Sequence, residues 1–510
     1  IAIHSFPASV SFFMRQRARS RNQLNFLDAP PLIGKGWWLM RNGLYFFLLC
    51  FAGTVLGKEP PNILFLLVDD QRPDTIGAYG NDKISTPNLD QLAKRGTRFT
   101  RATCSYPICH ISRAEMLSGR HGWENGINGL NSRRFSEGID FWAETLRNSD
   151  YRTCYVGKWH TPGRPADYGF SEVRGLFGSG SAKLMKPGQT DWKGFPITGY
   201  KGWVFQDATG KERYPEKGVG LTPDIDAKFG DAAISAITDF NGDQPWFIQV
   251  NFTGPHDPLF IPPGYEGKYR AEEMPVPPNF MPEHPFDHGN LKGRDEVLLP
   301  FPRTREDVRD LLRVYYSVID HIDLQVGKIV KALRDSGQLD NTVIIYSSDH
   351  GMAVGSHGLR GKQNQYEHTI NVPMIIAGPG IKADYVTDAS VYLRDLYPTT
   401  CDLADVAIPG TVTAKSFAGV LNGSTETHRD EIYGYFTDTQ RMIRTDRWKY
   451  IDYPKVEKRQ LFDLESDPDE LTNLINDPDL QSVTSGLAEK LMKWRKEKGD
   501  PALTLSPPPQ

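Results

Sequence analysis

The chain is poor in three things that would each have settled its class. It has only five cysteines in 510 residues, too few for a disulfide scaffold. It has no charge excess to speak of: 59 basic against 63 acidic residues leave a formal net charge of -4. That balance gives no whole-chain reason to expect nucleic acid or an anionic membrane as partner, so any anion specificity must be local. Beyond residue 57 it lacks an apolar run long enough to span a bilayer, and it has no internal repeats. Its length does allow a large core plus a second, smaller one.

What is present begins with a targeting pattern. Residues 1–39 start at Ile1 and show no sustained periodicity, and are read as poorly ordered or as lying upstream of the true start. From Met40, Arg41 supplies a positive region, Leu44 to Ala52 an apolar one, and Val55-Leu56-Gly57 a small-residue cleavage site. This predicts a signal peptide over 40–57, and export to the periplasm or beyond. Cys50 would leave with it; a disulfide among Cys104, Cys154 and Cys401 stays open, because spacing alone chooses no pairing.

Asn62 to Val68 is an unbroken apolar run of strand length, as expected for a strand covered on both faces. It ends in Asp69-Asp70. Adjacent carboxylates at the carboxyl end of a buried strand sit where open α/β sheets bind ligands, and a hard divalent cation would relieve their repulsion. A second such strand, Thr342 to Tyr346, runs into Ser348-Asp349-His350-Gly351. Two more strand ends carry Lys158-Trp159-His160 and Gly254-Pro255-His256. Taken singly, each reads more readily as a solvated turn.

Between them, Cys109-His110-Ile111-Ser112-Arg113 leads into a helix pattern, so Cys109 is expected just before a helix N-terminus, with Arg113 one turn on. Residues 175–222 read as an irregular inserted loop near the site mouth, where specificity commonly resides, and 261–303 as Pro-rich and irregular. Thr304 caps a long helix to about Ser336, whose apolar spacing marks it as core and nothing more. Lys362 follows in a glycine-rich loop. Strands alternating with helices over 60–400 predict an α/β fold with a large, mostly parallel sheet flanked by helices. From about 425, short alternating strands predict a small antiparallel sheet, closed by a helix near 484–498. The expected divisions are a catalytic domain over 58–424, a C-terminal subdomain over 425–500 and a loose tail over 501–510.

In this order, Asp69-Asp70, the Cys109 to Arg120 run, Lys158-Trp159-His160, His256, Asp349-His350, Lys362 and the C-terminal Leu461 to Pro468 with Thr472-Asn473-Leu474 resemble the type I, formylglycine-dependent sulfatases of the alkaline-phosphatase-like superfamily. The resemblance covers roughly 60–495. It implies that a formylglycine-generating maturation enzyme oxidises Cys109 to formylglycine, whose hydrate attacks sulfur. Asp69, Asp70, Asp349 and His350 would hold a calcium ion together with an oxygen at position 109, although an Asn-type oxygen is common at the place of His350. Arg113 would hold the hydrate, Lys158 and Lys362 would bind sulfate oxygens, His256 would protonate the departing alcohol, and His160 would take a proton from the second hydroxyl. The family's maturation pattern is Cys-x-Pro-x-Arg, and here Ile111 stands in the proline's place. The substrate expected is a sulfated carbohydrate or small sulfate ester. The alternatives are a phosphate monoester or phosphonate hydrolase on the same scaffold, and an unmatured protein that binds sulfated glycans.

Overall fold

The computed structural model describes residues 59–185 and 187–503. The 1–39 segment, the 40–57 signal pattern and most of the 501–510 tail lie outside the described residues.

Eleven strands form one sheet: β1 (Asn62–Val68), β2 (Gly96–Thr103), β3 (Arg152–Lys158), β4 (Glu172–Gly178), β5 (Val204–Gln206), β6 (Arg213–Val219), β7 (Trp246–Asn251), β8 (Thr342–Ser348), β9 (Asn371–Ala377), β10 (Tyr385–Thr387) and β11 (Val391–Tyr392). Their spatial order is β10-β2-β9-β8-β1-β7-β3-β4-β5-β6, with β11 beside β2. The central strands β8, β1, β7, β3 and β4 run parallel. In β1, Ile63, Phe65 and Leu67 enter one core with Met116, Trp142 and Leu146. Leu64, Leu66 and Val68 enter another with Phe229, Ile319 and Ile322. Both faces are covered by helices, which is why the run is apolar without alternation.

Two features depart from the expectation. β9 runs antiparallel to β8 and β2, so the sheet is mixed at that edge. The 175–222 region is not all loop: β4 ends within it, and β5 and β6 extend the sheet antiparallel. β6 is largely exposed and polar, so it leaves no hydrophobic alternation to read.

The second sheet is β12 (Ile432–Phe436), β13 (Gln440–Arg444), β14 (Trp448–Tyr453) and β15 (Lys458–Asp463), antiparallel in sequence order, followed by the helix Gln481–Glu497. Thr304 caps the Arg305–Asp335 helix, its hydroxyl accepting the Asp307 N–H at 3.0 Å. The four described cysteines, Cys104, Cys109, Cys154 and Cys401, are buried free thiols, which removes the disulfide left open above.

Candidate active site

The parallel register brings the acidic strand ends together. Val68 of β1 pairs with Ser348 of β8, so Asp69-Asp70 and Asp349-His350 leave the sheet side by side. The Asp349 N–H donates to the Val68 carbonyl at 3.2 Å, and the Asp69 N–H to the Gly254 carbonyl at 3.0 Å. That second bond ties the end of β1 to the turn carrying His256. Asp70 sits in the left-handed region at φ 67°, unusual for a non-glycine residue.

Cys109 is the first residue of the helix Cys109–Ser118, not the residue before it. Ile108 is extended, and its carbonyl accepts the N–H groups of Ile111 at 3.1 Å and Ser112 at 2.9 Å. Arg113 therefore lies one turn along. Its Nε donates to Asp349 Oδ2 at 2.9 Å; both terminal nitrogens are buried without a hydrogen-bond partner, one of them 3.5 Å from Asp69 Oδ2.

Around the Cys109 sulfur stand Asp69 Oδ1 at 3.1 Å, His350 Nε2 at 3.3 Å and Lys362 Nζ at 3.7 Å. Lys362 donates to both oxygens of Asp70 at 2.8 Å, and Lys158, the last residue of β3, pairs with Asp69 Oδ2. His350 Nδ1 lies 3.1 Å from Asp70 Oδ1. His256 turns Nδ1 to its neighbour's carbonyl, Asp257 O, at 2.5 Å, and its Nε2 stands 3.8 Å from Asp70 Oδ2. Nine of the ten residues singled out in the sequence thus share one buried centre.

His160 is the one that stands aside. Its ring packs on His110 at 5.9 Å and Trp203 at 5.3 Å, and its Nδ1 is buried without a partner.

Burial dominates the titration of these groups. It pushes the Cys109 thiol well up, and lifts Asp70 to about 7 against the pull of Lys362. It lowers Lys158 to about 7 and His350 to about 3. His256 falls well below the usual imidazole range through burial and then Lys362. Burial would raise Asp349 too, but His350, Arg113 and Lys158 hold it well below the carboxylate range. Burial likewise opposes charge on Lys362, yet Asp70 and Cys109 raise its pKa above the usual lysine value.

Sequence reasoning missed several contributors. The Tyr315 hydroxyl, on the helix read as core alone, donates to the Asp70 carbonyl at 2.5 Å. Tyr200 donates to Asp69 Oδ2 at 3.2 Å. Glu296 accepts the N–H groups of Arg360 at 2.8 Å and Gly361 at 3.0 Å, just before Lys362. Tyr315 has core spacing, Tyr200 lies in an aperiodic run and Glu296 in a Pro-rich one, so none carries a local signal.

Comparison with known proteins places the chain in a family. The chain is 29% identical over 459 residues to an arylsulfatase of Clostridium perfringens (strain 13 / Type A), covering 85% of this chain and 94% of that protein. It is 30% identical over 469 residues to a choline-sulfatase of Rhizobium meliloti (strain 1021), covering 88% and 89%. Its fold is similar to that of BT4656, solved with its substrate D-glucosamine-2-N,6-O-disulfate, at a TM-score of 0.71 and 23% identity over 87% of this chain and 99% of that one. A phosphonate monoester hydrolase of Agrobacterium radiobacter shares the fold at a TM-score of 0.70 and 23% identity, over 86% and 96%. The family described as N-sulphoglucosamine sulphohydrolase, C-terminal, matches residues 355–497. The Sulfatase family matches residues 61–406, more than half of the chain, and with the strand-end cluster in place this chain belongs to the sulfatase family and is a sulfuric ester hydrolase.

Proposed function

We propose that the chain releases inorganic sulfate from a sulfated carbohydrate, using a formylglycine made from Cys109 by a maturation enzyme and a calcium ion held by Asp69, Asp70, Asp349 and His350. The observation that carries this reading is the packing of the donors. One ligand atom from each of Asp69, Asp70, Cys109, Asp349 and His350 falls within 4.8 Å of the others, all buried. Three carboxylates and one imidazole form a mostly hard, oxygen-rich set, which suits calcium better than zinc. The three carboxylates face three cations, Arg113, Lys158 and Lys362, so a divalent ion would leave the centre positive, as an anionic substrate requires.

Calcium bound there would supply fixed positive charge for the sulfate oxygens and lower the pKa of an oxygen nucleophile at position 109. The hydrated formylglycine would supply one hydroxyl to attack sulfur and a second whose proton, once removed, lets sulfate leave. The protein's own groups do the remainder. Arg113, anchored on Asp349 by Nε, would hold the hydrate with its two unpartnered nitrogens. Lys158 and Lys362 spread the charge that grows on the sulfate oxygens. His256 gives its Nδ1–H to the Asp257 carbonyl, so Nε2 must first take up a proton, favoured when the sulfate anion enters, before it can pass one to the departing alcohol. His160, packed on His110 and Trp203, would have to be brought to the second hydroxyl to act as its base. An unmodified Cys109 suits this chemistry poorly, because burial keeps its thiol protonated.

The carbohydrate reading is supported by the C-terminal match at 355–497 and by the Trp, Tyr, Lys and Arg residues of the 175–222 region, of which Tyr200 and Trp203 border the centre. The 40–57 pattern supports export, and among the described residues no helix is long and apolar enough to cross a membrane. The test has two parts. Mass spectrometry of the tryptic peptide containing Cys109, in protein from the native host, should find formylglycine; an unmodified thiol overturns the mechanism. Sulfate release should then be measured on defined sulfated saccharides, choline sulfate, and matched aryl sulfate and aryl phosphonate esters. Turnover of choline sulfate alone rejects the carbohydrate, and faster phosphonate than sulfate hydrolysis rejects sulfate.

A further inference from the structure

Tyr200 belongs to the run between β4 and β5, yet it touches three members of the centre. Its hydroxyl donates to Asp69 Oδ2 at 3.2 Å. Its ring meets the His256 imidazole edge-on, with centroids 4.8 Å apart and planes at 85°. The Lys158 ammonium lies 5.0 Å from the same ring's centroid. The residue is 8% exposed, and its backbone is left-handed at φ 55°. A bulky aromatic residue holds that conformation only where its surroundings over-determine it, and such positions cluster at functional sites. Trp203 fixes it from behind: its ring packs on Tyr200 at 4.8 Å, and its N–H closes the turn on the Tyr200 carbonyl at 3.0 Å.

We infer that Tyr200 is a positioning residue for the metal centre, orienting Asp69 through its second oxygen and seating the His256 ring. This rests on the calcium reading above. The Asp69 carboxylate turns Oδ1 to Cys109, while Lys158 and Tyr200 meet at Oδ2. The Lys158 ammonium is a point charge with no single donor direction, whereas the phenol is a directional donor on a packed ring. Hydrogen bonds to the non-ligating side of a metal-binding carboxylate fix its rotation, and losing one costs ~10–100-fold in metal affinity or activity. The same ring contact leaves His256 Nε2 on the Asp70 side. The inserted region therefore helps to build the centre it borders.

Tyr200→Phe removes the hydroxyl and keeps the ring. Calcium affinity, measured by chelator competition on the purified full chain, should weaken about 10–100-fold, with melting temperature at saturating calcium unchanged. Tyr200→Leu removes the ring as well, and should lower kcat further at saturating calcium because His256 loses its seat. Trp203→Leu loosens the packing behind Tyr200 but keeps its hydroxyl, and should weaken calcium affinity less than Tyr200→Phe does. Parent-like calcium affinity in Tyr200→Phe overturns the inference while the calcium reading stands. Equal weakening in Trp203→Leu overturns it too, since the effect would then be general loosening of the turn. A parent protein that binds no calcium overturns the calcium reading, and this inference with it.

Discussion

Glu296 and Arg303, both with side chains wholly shut off from solvent, form an ion pair at 2.6 Å that staples the loop delivering Lys362. Glu296 accepts the N–H groups of Arg360 and Gly361, and Arg303 donates to the carbonyl of Gly358. At Gly361 a Cβ would lie 2.7 Å from the Asp295 Cβ and 3.0 Å from Glu296 Oε1, so the loop has no slack there.

Breaking a buried pair by removing one partner typically costs ~3–5 kcal/mol, because the other charge is left uncompensated. Glu296→Ala should therefore lower stability by about that amount in urea titration. Glu296→Gln, which keeps the shape, should lose less stability yet still lower kcat, since an amide cannot accept both N–H groups. In a Lys362→Ala background the same Gln substitution should add little further loss of turnover. Independent, multiplying effects would show that the pair does not act through Lys362.

Calcium should stabilise the protein in proportion to the logarithm of its concentration, because it would bind the folded chain alone. A chelator titration followed by thermal melting should show this dependence in the parent. In Asp349→Asn it should be strongly reduced, together with sulfate release. A melting temperature indifferent to calcium in both proteins would remove the metal from the scheme.

Acid should unfold the protein from the second sheet's side. His284, His288 and His357 are buried, and burial lowers them to about 4, 3 and 4. Each binds fewer protons folded than unfolded between those values and about 6.5. Their contribution is thus complete above pH about 6.5 and is lost as pH falls toward 4. Both ring nitrogens of His288 are buried without partners, so His288→Leu sacrifices no hydrogen bond. It should reduce the fall in urea stability between pH 7.5 and 5 by about 2 kcal/mol. An unchanged slope would mean that His288 is already protonated or solvated in the folded protein.

Ile111 is wholly buried, and its N–H donates to the Ile108 carbonyl at 3.1 Å. Ile111→Pro restores the Cys-x-Pro-x-Arg pattern of the resembled family and forfeits that bond, at a cost of ~0.5–1.5 kcal/mol. We expect a higher formylglycine fraction at Cys109 by peptide mass spectrometry and a slightly lower melting temperature. An equal fraction in both proteins would show that maturation here does not read the proline.

The amino-acid sequence by itself determined which elements form and which chemical groups they carry. The apolar runs of β1, β7 and β8 announce strands because both sheet faces are buried, and the Arg305–Asp335 helix announces itself by its period and its Thr304 cap. Asp69, Asp70, Asp349, Lys158 and His256 are visible because each follows such a run. The tertiary structure alone decided strand direction and neighbourhood. An apolar run reads the same either way, so the antiparallel course of β9 follows from where the chain leaves β8. Register then sets Asp69 beside Asp349, about 280 residues apart. Tyr200, Tyr315 and Glu296 enter the centre through contacts that no local period encodes, since each depends on where a distant segment happens to pack.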